Sequence, residues 1–197
     1  MVSLTQKERE TLLILFKDFT SYYNANSISK ILKISHVGAQ KIFKRLLNAD
    51  LVIRKKIGKS IVYKPNFNND YVSQLMGFLL ADEANNFKRW KEEFKELFKK
   101  NRIVMMFGSA IKNYSQARDI DIMIVIEKSE IKEINKILKK KEEILPKKLH
   151  AIKLTHQDLL ENIKKEDKAM VDIVKNAIIL YGQERYVDIL KNAEKVF

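Results

Sequence analysis

The stretch IVMMFGSAIKNYSQARDIDIMIV, residues 103–125, places two apolar runs around a short polar loop. The loop begins with Gly108-Ser109 and ends at Asp119 and Asp121, where the second apolar run starts. Alternate residues of a strand point to the same face, about 7 Å apart. We therefore predict two carboxylates on one face of a buried strand. They are either the solvated start of that strand or the ligands of a metal ion.

The composition of the chain is that of a folded protein. Its 197 residues, 46% of them hydrophobic, suffice for one large domain or two small ones. The absence of Cys excludes disulfides and thiolate zinc sites. No apolar run approaches the roughly 20 residues that a membrane-spanning helix needs, and the N-terminus leads directly into a capped amphipathic helix. We expect a cytoplasmic protein with no membrane partner.

The charge of the chain is unusual. A formal net charge of +13 and a pI near 9.7 indicate a polyanionic partner. Residues 1–70 hold 13 Lys and Arg against 5 Asp and Glu, a net of +8. The rest of the chain holds 25 against 20, a net of +5. The excess is therefore concentrated in the first third.

The first seventy residues predict three helices followed by a β-hairpin. Thr5 and Glu8 have capping-box spacing at the start of the first helix. The segment SISKILK predicts a short second helix, and Ser35 is placed to cap a third, HVGAQKIFKRLLNA. The strands LVIRKK and SIVYK follow, joined at Ile57-Gly58-Lys59, where Gly58 can supply the positive φ of a tight turn.

This order of elements resembles the winged helix-turn-helix family over about residues 3–66, above all in SISKILKISHVGAQKIFKRLLNADLVIRKK. With Ala39, Phe43 and Leu46 facing inward, the third helix presents a basic face that would enter the major groove of double-stranded DNA. The candidate DNA-binding residues are His36, Gln40, Lys41, Lys44 and Arg45 on the helix and Arg54, Lys55, Lys56 and Lys59 on the hairpin. Two other interpretations are a solvated surface and a protein–protein module.

The chain between the two predicted domains reads as nearly continuous helix. Its first apolar stripe, Val72, Leu75, Met76 and Leu79, either pairs with a second copy in a homodimer or packs against the protein's own domains. A later aromatic stripe, from Phe87 to Phe98, is assigned to the core of the domain that follows. We predict an α+β protein with a winged helix at 1–68, a linker and dimerisation helix at 69–85, and a small mixed sheet with flanking helices at 86–197.

The second domain resembles the minimal members of the nucleotidyltransferase superfamily. The pattern is Gly108-Ser109, nine residues, then Asp119-Ile120-Asp121, and the resemblance covers about residues 84–185, including IILYGQE near its end. It implies that Asp119 and Asp121 are catalytic residues that bind Mg²⁺. The ion would bridge the phosphates of a nucleoside triphosphate and polarise the α-phosphorus. Gly108, Ser109 and Lys112 would hold the phosphates.

The sequence departs from that family at the third carboxylate. The strand that should carry it, LHAIKLT, has His150 and Lys153 but no acid. Glu127 lies six residues beyond Asp121, roughly 20 Å along a strand. Glu142 and Glu143 precede the strand and would need a shifted register.

Three functions remain open. The first is a dimeric DNA-binding transcription regulator whose second domain binds Mg-nucleotide, binds a partner, or has degenerated. The second is an enzyme that transfers a nucleoside monophosphate to a hydroxyl of a protein, a tRNA or a small molecule. In one version of it the chain is the antitoxin of a toxin–antitoxin pair, with the toxin protein as partner. The third is a purely structural adaptor.

Overall fold

The computed structural model describes residues 3–193, which divide into two compact units, residues 3–79 and 80–193. The division falls inside the helix that we predicted as a linker. The first two and the last four residues of the predicted domains, 1–2 and 194–197, lie outside the described residues. Each unit is described on its own below.

The first unit consists of three helices and a β-hairpin, as predicted, followed by a long helix that continues beyond it. Its elements are helices α1 (Gln6–Lys17), α2 (Ala25–Leu32) and α3 (His36–Asn48), strands β1 (Val52–Ile57) and β2 (Ser60–Pro65), and helix α4 (Asp70–Asn85). The predicted capping box is formed, since the Thr5 and Glu8 side chains each bind the other's backbone N–H. The strands pair antiparallel, with Ile57 opposite Ser60 and Gly58 at φ +57° between them.

The inward face of α3 closes the core of this unit. Ala39, Phe43 and Leu46 are buried, as their spacing predicts. The Phe43 ring stacks on Tyr63 of β2 with a centroid distance of 3.8 Å. This packing ties α3 to the hairpin and fixes the opposite face of the helix toward solvent.

Helix α4 buries most of the stripe that we considered for self-pairing. Val72, Met76 and Leu79 are buried within a single copy of the chain. A different pair of apolar residues, Tyr71 and Phe78, is exposed instead, by 44% and 58%. The stripe therefore belongs to the protein's own core, which was the other interpretation of the sequence.

The second unit is a four-stranded mixed sheet with flanking helices. Its elements are α5 (Lys88–Glu93), β3 (Ile103–Phe107), α6 (Ser109–Lys112), β4 (Asp119–Val125), α7 (Ile131–Ile144), β5 (Lys148–Leu154), α8 (His156–Lys164), α9 (Lys168–Asn176), β6 (Ile178–Tyr181) and α10 (Gln183–Ala193). The strand order is β5-β4-β3-β6. Strand β4 runs parallel to β5, whereas β3 is antiparallel to both β4 and β6. The segment before β3 is broken at Asn86 and Phe87 and ends in a 3₁₀ turn, so it is less regular than the sequence suggested.

The alternation of residues along β4 separates a core face from the face of the predicted site. Ile120, Ile122 and Ile124 belong to a core that includes Trp90 and Phe94 of the aromatic stripe. Asp119 and Asp121, with Met123 and Val125, point to the opposite face because successive side chains alternate. The two carboxylates thus stand at the solvated end of a row that becomes buried further along the strand.

A buried arginine anchors the start of β3. Arg102 is 1% exposed, and its Nη2 lies 2.8 Å from Glu130 Oε1 and 2.9 Å from Glu133 Oε1. The hydrogen bonds that Arg102 donates hold the pKa of Glu130 and of Glu133 below the usual value. The triad connects the first residue before the sheet to α7.

Among residues 3–193, no helix combines the length and the apolar character needed to cross a bilayer.

Candidate functional site

The first candidate site is the outward face of α3. The Ser35 hydroxyl accepts a hydrogen bond of 3.0 Å from the backbone N–H of Gly38 and starts the helix there. Because the inward face is buried, the polar side chains that alternate with it face water. The predicted helix residues that are exposed are His36, Gln40, Lys41, Lys44 and Arg45.

The hairpin adds a second group of cations to this unit. Arg54, Lys55, Lys56 and Lys59 are all exposed, on β1 and on the turn that follows it. The apolar residues Ile57 and Ile61 beside that turn are exposed as well. The tip of the hairpin is therefore solvated, whereas its base packs on α3 through Tyr63.

Arg45 differs from the other helix cations. Its Nε lies 3.1 Å from Oε1 of Glu8, a buried residue of α1, and its Nη2 donates to the Ser3 carbonyl oxygen at 3.4 Å. These contacts hold Arg45 at the margin of the face, against α1. We therefore leave it out of the surface discussed below.

Sequence reasoning overlooked Val37. It is 58% exposed and precedes Lys41 and Lys44 by four and seven residues, so all three lie on one side of α3. That spacing was visible in the sequence. The sequence analysis assigned Val37 to neither face of the helix.

The second candidate site is built where β4 and β5 lie side by side. Their parallel register places His150 directly beside Asp121. His150 Nδ1 lies 3.3 Å from Asp119 Oδ2 and 3.5 Å from Asp121 Oδ1. Asp119, Asp121 and His150 form the one cluster of three ligating side chains found within residues 3–193, with ligand atoms no more than 4.8 Å apart.

Gly108 is required by the position of Asp121. Its φ is +79°, and a Cβ added to it would lie 2.2 Å from Asp121 Oδ2. The glycine therefore gives the carboxylate its place beside the turn that follows β3. Ser109 and Lys112, the other predicted phosphate ligands, begin and end the one-turn helix α6 and are both exposed.

The other residues weighed for the third ligand lie elsewhere. Lys153 points to the opposite face of β5 and donates to Asn135 Oδ1 at 2.9 Å. Glu127 follows the far end of β4, 3.6 Å from His156 Nδ1. Glu142 and Glu143 are exposed on α7. Of the residues weighed, His150 is the one that lies beside Asp119 and Asp121.

The electrostatics and spacing of this cluster fit a divalent cation. Burial, followed by the charge of Asp119, raises the pKa of Asp121, while the neighbouring His150 acts in the opposite direction. A bound cation would relieve the repulsion between the two carboxylates. Ligand atoms of one octahedral ion lie about 3 Å apart when adjacent and about 4.2 Å when opposite, for bonds of about 2.1 Å. The distances from His150 Nδ1 to the two carboxylates, 3.3 and 3.5 Å, are close to the separation of adjacent ligands.

Comparisons with known proteins agree with the architecture of the second unit. The family described as "Polymerase beta, Nucleotidyltransferase" matches residues 92–186. No protein of curated function matches the chain.

Two solved structures resemble the chain weakly. One is a variant of Lactococcus lactis ZitR, with a TM-score of 0.37 and 14% identity over 72% of this chain and 75% of that one. The other is the adhesin competence repressor AdcR from Streptococcus pyogenes, with a TM-score of 0.34 and 13% identity over 72% of this chain and 80% of that one. Similarity at this level says nothing about which ligand this chain binds or which activity it has. Residues 92–186 thus match the model of the nucleotidyltransferase family, and they follow an N-terminal unit of three helices and a β-hairpin in the same chain.

Proposed function

We propose that the protein is a DNA-binding regulator whose second domain binds a divalent cation and a nucleotide. The observation that carries this proposal is the exposure of six cations on α3 and the adjoining hairpin of one small unit. They are Lys41, Lys44, Arg54, Lys55, Lys56 and Lys59. Cations grouped on a recognition helix and its wing are the electrostatic footprint of a nucleic-acid partner.

The residues on this surface have the chemistry to read a base sequence. Gln40 is suited to bind adenine through two hydrogen bonds, and Lys41 and Lys44 can donate to guanine or phosphate oxygens. Val37 is placed to contact a thymine methyl group. The hairpin cations would bind phosphates and so set the orientation of the helix without selecting bases.

We also propose that the protein reads a two-fold symmetric site as a homodimer. Tyr71, Leu75 and Phe78 of α4, together with Leu4, line an open groove of about 300 Å³ on the first unit. An exposed apolar row of this kind supports pairing with a second copy. Phe78→Glu should then convert the dimer to a monomer in light scattering.

Binding to a selected duplex tests the regulator proposal. Gln40→Ala should relax base preference at one position, whereas Lys56→Ala should weaken all sequences alike. Lys153→Ala is the matched control, since it removes the same charge from the second unit, where the Lys153 side chain is exposed and donates to Asn135. Equal affinity of the wild type for random and selected duplex at physiological salt would overturn the proposal.

Nucleotidyl transfer is the second candidate, favoured by the convergence of Asp119, Asp121 and His150 beside Gly108. The cation that these residues would hold neutralises phosphate charge and polarises the α-phosphorus when bound. Transfer would join an acceptor oxygen to that phosphorus, release pyrophosphate and give the hydroxyl proton to solvent. Label transferred from an α-labelled triphosphate, and lost in Asp119→Asn, would establish it. The antitoxin version stays a prediction.

A further inference from the structure

The pairing of β4 with β5 brings the imidazole of His150 into the carboxylate cluster. The parallel register of β4 and β5 pairs Asp121 with His150, and Asp119 with Lys148 two residues earlier. Residues 148 and 150 alternate with Leu149, which is buried in the core on the other face. His150 therefore faces the carboxylates for the same reason that Leu149 faces the core, and a neighbouring position could not replace it.

A ring nitrogen of His150 faces the carboxylates of Asp119 and Asp121. Nδ1 approaches one oxygen of each carboxylate, at 3.3 and 3.5 Å. These separations are close to the distance of about 3 Å between adjacent ligands of one ion. Nδ1 would therefore be the nitrogen that binds the metal, since a metal-binding histidine uses a single ring nitrogen.

A nitrogen ligand changes the choice of metal. Mg²⁺ takes oxygen ligands and keeps several of its waters. Imidazole suits first-row transition metals, whose affinity for mixed nitrogen and oxygen sites increases from Mn²⁺ through Co²⁺ toward the end of the series. Two carboxylates and one imidazole form such a mixed set, whereas three carboxylates would not.

We propose that Asp119, Asp121 and His150 form a site for a transition-metal dication of the Mn²⁺ or Co²⁺ class, in preference to the Mg²⁺ implied by the family. The inference rests on the proposed cation site and adds the identity of the third ligand. In this arrangement His150 is a metal ligand and not a general base, since its near nitrogen is used for the metal. The selectivity of the site is set by one residue of β5.

The opposing arrangement is a site without metal, in which a protonated His150 serves as a permanent counter-ion for the two carboxylates. Both arrangements bring the imidazole near the acids, so geometry alone does not separate them. A direct measurement of metal binding separates the two arrangements. The counter-ion arrangement predicts that removal of His150 strengthens cation binding, because a positive charge leaves the site.

The experiment is calorimetric titration of the full chain with Mn²⁺, Co²⁺ and Mg²⁺ in the absence of nucleotide. The variants are His150→Ala, His150→Asp and the double variant Asp119→Asn/Asp121→Asn. His156→Gln is the matched control, because it removes the other imidazole of the same unit, which lies beyond the far end of β5. Line broadening of the His150 ring protons by Mn²⁺ gives a second, independent readout.

The wild type should bind Co²⁺ more tightly than Mg²⁺, and at least about tenfold more tightly than His150→Ala does, since loss of even an outer-shell partner of a metal ligand costs about 10–100-fold. His150→Ala should narrow the ratio of Co²⁺ affinity to Mg²⁺ affinity, His150→Asp should recover Mg²⁺ binding without the full Co²⁺ affinity, and His156→Gln should change neither. The Mn²⁺ broadening should be confined to the His150 ring.

Contrary outcomes separate the two proposals. Equal affinity for Co²⁺ in wild type and His150→Ala, or tighter binding in that variant, overturns the inference and leaves the cation site standing if the aspartate variant binds nothing. Binding that survives in the aspartate variant, or none in any protein, overturns both the inference and the cation site. The DNA-binding part of the proposed function is unaffected by either result.

Discussion

The charges on α3 and the hairpin are arranged differently from those of the second unit. The cations of the surface are exposed and spread over two elements, so their effect reaches a partner through solvent and is screened over about 8 Å at physiological salt. Arg102 and the cluster at Asp119 are confined instead, with their partners in direct contact. The surface of α3 and the hairpin therefore depends on the number of its charges, whereas the second unit depends on the positions of its charges.

Removal of the confined Arg102 should have the largest effect on stability. Arg102→Met removes a buried cation that donates to Glu130 and to the Leu97 carbonyl oxygen, while Lys99 still pairs with Glu130 and Glu133. We expect the second unit to lose about 1.5–3 kcal/mol. Urea unfolding followed by the fluorescence of Trp90, a core residue of this unit, measures the loss. Lys56→Met, which removes an exposed cation, should change stability by less than about 0.5 kcal/mol. Similar values for the two variants would contradict the comparison.

Gly108→Ala should have the next largest effect, because it moves a confined carboxylate. The new Cβ would overlap Asp121 Oδ2 at a backbone position with φ +79°, and we expect a loss of about 1–3 kcal/mol together with weaker binding of Mn²⁺. Gly58→Ala has a similar φ of +57° but no atom within 4 Å, so it isolates the backbone strain, about 1–2 kcal/mol. Equal Mn²⁺ affinity in Gly108→Ala and wild type would show that Asp121 is not held in place by this contact.

The exposed cations should affect binding and leave stability unchanged. The double variant Lys41→Ala/Lys44→Ala should lower the slope of log K against log salt by about 2 if both lysines contact phosphate. Fluorescence anisotropy between about 50 and 200 mM salt covers the range in which this slope is steep. A slope equal to that of the wild type would mean that these lysines do not neutralise phosphates. The unfolding midpoint in urea is the control.

Tyr23→Phe gives the smallest expected effect, and it depends on pH. The Tyr23 hydroxyl donates a hydrogen bond to Asp18, and burial, together with that carboxylate, raises the pKa of Tyr23 from 10.0 to about 12. The folded state thus favours the neutral phenol, so this contribution is complete below pH 10 and is lost as the pH rises from 10 toward 12. Wild type should exceed Tyr23→Phe in stability by about 1.5 kcal/mol at neutral pH. Unfolding series at several pH values would contradict this if the difference stayed constant.

The helical unit could be predicted from sequence because its signals are local. The Thr5–Glu8 capping box, the spacing of Ala39, Phe43 and Leu46 and the turn at Gly58 all lie within a few residues of the structure that they specify. Once the buried face of α3 was predicted, the residues of its exposed face followed from the helical period. Only contacts with another element, such as that of Arg45 with Glu8, were beyond this reasoning.

The second site could be predicted only in part. Asp119, Asp121 and Gly108 come from adjacent strands of one motif, but His150 joins them through the order of the sheet and the register of two parallel strands. Neither is encoded within a short window of sequence. Arg102 was overlooked for a similar reason, because its partners lie about thirty residues away in the chain and a lone arginine before a strand reads as surface.

The position of β5 at the edge of the sheet gives the proposed site a dynamic property. A strand that is hydrogen-bonded on one side only opens more readily than a central one, and His150 leaves the carboxylates whenever β5 separates from β4. A ligand bound by all three residues stabilises the closed ladder by mass action. Amide hydrogen exchange along Lys148–Leu154 should therefore slow as the site fills. Although β5 contributes only His150 to the site, its exchange rates would report how much of the site is occupied.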